Sequence, residues 1–127
     1  MRSEKKKGNV MTKNITAEKS KKFALRIIGL YKYLTETKKE FVLSKQVLRS
    51  GTSIGANIRE AKYAHSKADF VAKLQISLKE CYETEYWIEI AQKASIISED
   101  VAKSVLHDCG SIRRMLIASI NTAKENN

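Results

Sequence analysis

"RSGTSIGANIREA", residues 49–61, is the stretch on which the fold turns. Read as a loop, its glycines would break the chain in the middle. Read as a helix, it becomes one of four helical segments joined by short connections. Each glycine costs a helix interior about 1 kcal/mol relative to alanine, so the helical reading needs an offset. Placed at about 100° per residue, Leu43, Val47, Gly51, Ile54, Ile58 and Ala61 fall on one face. Gly51 and Gly55 stand one turn apart on or beside that face. Small residues at this spacing let a neighbouring backbone come close, an effect best known in membranes but steric in origin. The stretch reads as a helix whose glycines meet a partner helix.

Helical spacing continues on both sides. Phe23, Ile27, Leu30 and Leu34 form an earlier stripe, and Phe70, Leu74, Leu78, Cys81 and Ile88 a later one. Ala102, Val105, Cys109, Ile112, Leu116 and Ala123 line a last segment. Thr16 suits an N-cap, and Thr37-Lys38-Lys39-Glu40 has the capping-box pattern that would open the second helix. Ser66 followed by Asp69 opens the third, and Ser98 with Glu99 and Asp100 the fourth. The helices are expected over about 16–36, 38–62, 67–95 and 99–123. None of the 127 residues is proline, which suits long unbroken helices. Connections of about 2–5 residues make consecutive helices antiparallel neighbours. The expected fold is all-α, an antiparallel up-down-up-down four-helix bundle over residues 16–124, with a disordered basic tail over residues 1–15.

The formal net charge is +10. Residues 1–22 hold eight Lys/Arg against two Glu, so more than half of the excess belongs to the N-terminal segment. Within the bundle, Lys38, Lys45, Arg49 and Arg59 gather within about 80° on the outward face of helix two. Such a stripe could follow a phosphate backbone, and Arg113 and Arg114 of helix four could extend it. One flank of helix two carries Gln46, Ser50, Ser53, Asn57 and Glu60, a polar seam that would fix register between helices. Glu85 on helix three is expected to pair with that seam. Ile76, Trp87, Ile90 and Ala94 lie opposite the core stripe of helix three and read as a subunit interface.

Little in the chain suggests chemistry. A ferritin-like metal site needs Glu-x-x-His pairs, but the residues three before His65 and His107 are Lys62 and Ser104. Cys81 and Cys109 lack zinc spacing and read as reduced thiols in a cytoplasmic helical core. Neither glycine-rich phosphate signature occurs. No stretch reaches the roughly 20 apolar residues of a membrane span, and the basic N-terminus lacks the apolar segment of a secretory signal. The expectation is a non-enzyme with no metal and no cofactor.

At Ser53-Ile54, Asn57-Ile58 and Glu60 the chain resembles the S-I-x-x-N-I-x-E pattern of the four-helix-bundle proteins encoded by intervening sequences in bacterial 23S rRNA genes. The resemblance continues through "SLKE", residues 77–80, and covers about residues 20–123 in outline. The accessory protein of diversity-generating retroelements looks like a member of the same superfamily. Where the family pattern continues with glycine, Ala61 stands here. The resemblance implies a homopentamer that binds structured nucleic acid, such as rRNA, through a basic surface and has no catalytic residues. The alternative is a protein-interaction scaffold with no nucleic-acid role.

Overall fold

The computed structural model of the protein describes residues 15–126 together with their side chains. Four helices follow in order: α1 (Arg2–Glu36), α2 (Leu43–Lys62), α3 (Lys67–Lys93) and α4 (Glu99–Glu125). The tail expected over residues 1–15 lies, except for Ile15, outside the described residues. Each helix packs on the one before and the one after it, and α1 closes the ring against α4 more thinly. Among the described residues, the backbones of the diagonal pairs α1–α3 and α2–α4 do not approach each other closely. This is the antiparallel four-helix bundle expected from the spacing.

The four apolar stripes meet in one core. Phe23, Ile27 and Leu34 of α1, Val47, Ile54 and Ile58 of α2, Leu74, Cys81 and Ile88 of α3, and Val105, Ile112 and Leu116 of α4 are all buried. Cys81 and Cys109 are free thiols inside it. The Cys109 thiol lies 3.5 Å from the Cys81 carbonyl oxygen. Its pKa is pushed far up by the hydrogen bond with Cys81 and by burial. Among the described residues, no helix is long and apolar enough to cross a membrane.

The glycines of α2 do what their spacing suggested. A Cβ on Gly51 would stand 2.8 Å and 2.9 Å from the side-chain carbons of Ile27. One on Gly55 would stand 3.1 Å from the Ser20 hydroxyl and 3.4 Å from the Ser20 carbonyl oxygen. Both positions let α1 lie close against α2, and that contact offsets their low helix propensity.

The start of α2 departs from the expected boundary. Thr37 to Glu40 do not form a capping box, because Lys39 adopts a left-handed backbone with φ of 55° that ends α1. The helix begins at Leu43, with Val42 as an N-cap whose side chain makes no capping bond. Glu40 takes over that role from outside the helix. Its carboxylate accepts from the backbone N–H groups of Val42 at 3.0 Å, Leu43 at 3.0 Å and Ser44 at 2.7 Å. Partial burial opposes its charge, but the N–H groups of Leu43, Ser44 and Val42 and the Ser44 hydroxyl outweigh it and hold the carboxyl below its ordinary pKa. The other two caps form as expected: Ser66 accepts from Asp69 N–H and Ser98 from Val101 N–H.

Candidate nucleic-acid interface

The outward face of α2 presents Lys45, Arg49 and Arg59, all exposed. No acidic residue occurs in α2 before Glu60, so the helix itself offers these cations no partner. The neighbouring helix does. The Arg49 guanidinium is gripped by the Glu83 carboxylate of α3, lies 3.6 Å from Glu80 and donates to Gln46 at 3.2 Å. Arg49 is therefore a strut between α2 and α3 whose charge is largely answered. Lys45 and Arg59 make no ion pair among the described residues. They stand 14 residues apart, about 21 Å along the helix.

Three of the six candidate cations lie elsewhere. Lys38 precedes α2 in the α1–α2 connection, where its ammonium stands 6.0 Å from the centre of the Tyr33 ring. It borders an open cleft shared with Phe41, Ser95 and Ile96 at one end of the bundle. Arg113 and Arg114 sit on α4, which is diagonal to α2 across the core. They cannot extend the α2 face, and the six cations do not form one surface. Ring position, which sets this, depends on the order in which helices pack and leaves no mark within a single helix.

Arg113 and Arg114 instead line the α3–α4 rim. Arg113 is ion-paired to Glu85 at 3.2 Å, and its guanidinium carbon lies 5.7 Å from the centre of the exposed Tyr82 ring. Burial works against its charge, but the Glu85 carboxylate prevails and raises its pKa further. Both guanidinia fold back over Gly110. A Cβ there would come within 3.2 Å of Arg114 and 3.3 Å of Arg113. Nothing in the spacing singled out Gly110, whereas Tyr82 and Tyr86 stand one turn apart in plain view.

The polar seam is real but built differently from the expectation. Two of its bonds cross to α3: Thr84 donates to Ser50 at 2.9 Å, and Ser77 to the Ile54 carbonyl at 2.8 Å. All three side chains involved are buried. The second bond joins the stretch around Ser53 to "SLKE", so the two resembling segments face each other. Asn57 turns back to Ser53 in its own helix. Glu60 also reaches across to α3, but from an exposed position, through an ion pair with Lys73 at 3.1 Å. Glu85 does not reach the seam either, since its partner Arg113 belongs to α4.

Trp87 is not outward. It is half-buried against the core, and its indole N–H donates to Glu83 at 3.0 Å. Glu83 thus holds both Arg49 and Trp87. The flank of α3 toward α2 places Trp87 there, about halfway between core and solvent. Of its proposed companions, Ile76 and Ala94 are exposed and Ile90 is half-buried.

Comparison with known proteins agrees with this architecture. No curated protein is significantly similar. A solved structure, a protein of unknown function from the S23 ribosomal protein family of Bacteroides thetaiotaomicron VPI-5482, is 51% identical with a TM-score of 0.86. The match covers 87% of this chain and 98% of that one. The family model described as 23S rRNA-intervening sequence protein matches residues 12–118. The chain belongs to the 23S rRNA-intervening sequence protein family.

Proposed function

We propose that this chain is a non-enzymatic, cytoplasmic helical bundle that binds structured nucleic acid, RNA foremost, by backbone and shape. The observation that carries the reading is the α2 face, where Lys45 and Arg59 stand exposed with no acidic residue of α2 between them. The family's association with 23S rRNA supports RNA as the ligand. Self-association, to the homopentamer that the resemblance implies, would repeat the face and multiply a weak single contact.

The test is charge reversal of Lys45 and Arg59 together. A structured RNA hairpin should bind the Lys45→Glu, Arg59→Glu chain at least tenfold more weakly, with the helical signal unchanged. Equal affinity would remove the α2 face from the account. Arg49 is a poorer choice for reversal, because losing it would also break the α2–α3 strut.

A second reading, a protein-interaction scaffold, draws on the α1–α2 turn, where Phe41 and Val42 are 54% and 72% exposed. It predicts that the wild-type chain binds no hairpin at low salt and that Phe41→Glu abolishes capture of a protein partner.

A further inference from the structure

The outer side of α3 carries two exposed aromatic rings, Tyr82 beside α4 and Tyr86 next to Trp87, that neither the core nor the α2 face uses. Tyr82 and Tyr86 are 51% and 54% exposed and lie one helical turn apart, about 6 Å along α3. Both rings are held. Tyr82 has the Arg113 guanidinium over one face of its ring, fixed in turn by Glu85, which leaves the other face for a base. Tyr86 packs edge-on against Trp87, with ring centres 5.1 Å apart at 71°, and Trp87 is tied to Glu83. Cations surround them. Lys79 precedes Tyr82 by three residues on the same outward face of α3, and Arg114 folds over Gly110 beside Arg113. The acids on this side are Glu83, taken up by Arg49 and Trp87, Glu85, neutralised by Arg113, and Glu89, three residues beyond Tyr86, where the patch ends.

Exposed rings alternating with cations are the recognition chemistry of unpaired nucleotides. Any base can stack on an aromatic face, and the cations meet the phosphates. The ring spacing exceeds the roughly 3.4 Å between neighbours stacked in a duplex strand. It suits splayed bases in a loop, bulge or single strand, which are the parts of RNA that proteins read by stacking.

We propose that Tyr82 and Tyr86, with Lys79, Arg113 and Arg114, form a stacking platform for unpaired nucleotides of an RNA, separate from the duplex-following face of α2. The proposal rests on the nucleic-acid reading above and deepens it by naming the nucleotide state that this second face accepts. Gly110 is its positioning residue: a methyl group there would press both guanidinia back by a few tenths of an ångström.

The experiment titrates the full-length chain with two labelled probes, an unstructured ten-nucleotide RNA and a blunt RNA duplex of equal phosphate number. It compares wild type, Tyr82→Ala with Tyr86→Ala, Tyr82→Phe with Tyr86→Phe, and Gly110→Ala. Trp87 is the sole tryptophan of the chain, so its fluorescence reports occupancy next to Tyr86. The double alanine variant should bind the unstructured probe about fivefold to a hundredfold more weakly for each ring lost. Its duplex affinity and the slope of log affinity against log salt should not change. The double phenylalanine variant should bind like wild type, and Gly110→Ala should weaken the unstructured probe alone. The probe should also alter Trp87 emission.

Unstructured-probe binding that survives loss of both rings would overturn the platform while leaving the α2 face standing. A change in molecular mass of the alanine variant, with RNA binding intact, would overturn it in favour of a contact between copies. Failure of wild type to bind either probe would sink the nucleic-acid reading and the platform together.

Discussion

The departures from the expected caps and ion pairs come down to where a single side chain finds its partner. Glu40 has the spacing of a capping-box residue, yet it caps α2 from two residues before the N-cap because Lys39 turns the chain first. The three N–H groups it accepts from stabilise its charged form. The folded carboxyl therefore titrates below the unfolded one, and its contribution is complete above the unfolded pKa of about 4.3. That contribution is lost as pH falls through the folded value. Glu40→Ala should lower stability by about 1 kcal/mol at pH 7, and the gap from wild type should narrow in urea titrations below about pH 4. A gap independent of pH would mean that the carboxylate is not the cap. Ser66 and Ser98 were legible because a cap bond spans three residues of one segment. Glu40 was misread because two N-terminal devices use a glutamate in nearly the same place, and only the backbone at Lys39 separates them. Ser95 holds a similar left-handed position after α3, with φ of 60°, and Ile96 N–H returns to the Ala91 carbonyl. Glycine is the usual residue there, so Ser95→Gly should raise the thermal midpoint, by up to about 1 kcal/mol of stability.

Between elements, the α1–α2 contact is the tightest test of how the glycines were read. The side-chain carbons of Ile27 crowd Gly51 at 2.8 Å and 2.9 Å, and Ile27 is fully buried and β-branched, so it has little room to yield. Gly51→Ala should cost about 1–3 kcal/mol despite its better helix propensity, measured by chemical denaturation. A stabilised variant would show that the helices can separate freely there. The apolar stripes and glycine spacing were visible because each is periodic within one helix. The α2–α3 connections were only half visible. The hydroxyls of Ser50 and Ser77 could be placed on a flank, but the pairing of Arg49 with Glu83 depends on the register of two helices 34 residues apart in sequence. Packing against α2 set Trp87 half-buried at the core, and the separate register of α3 with α4 put Glu85 beside Arg113. Ile76 remains exposed on that flank at 42%, and it is where self-association is best probed. Ile76→Glu should lower the assembly mass in light scattering without loss of helix, and an unchanged mass would clear this flank of an interface.

At the scale of the whole molecule, the order of packing divides the positive charge. Because α2 and α4 are diagonal, Lys45 and Arg59 face one direction while Arg113 and Arg114 line the α3–α4 rim. One sequence displayed both groups but could not tell that they belong to separate faces, since adjacency around the ring is a property of topology. The bundle is expected to present a phosphate-following face on α2 and a nucleotide-stacking face on the outer side of the neighbouring α3, beside α4. The proposed function rests on the α2 face. The most direct measurement is the affinity of the full-length chain for a structured RNA hairpin over a range of salt, beside the Lys45→Glu, Arg59→Glu variant. Wild type should weaken steeply with salt. The variant's slope should be shallower by roughly 1.4–1.8 in log–log terms, the loss of two phosphate contacts at about 0.7–0.9 each. Identical slopes would contradict the claim and place the electrostatic contact outside the α2 face.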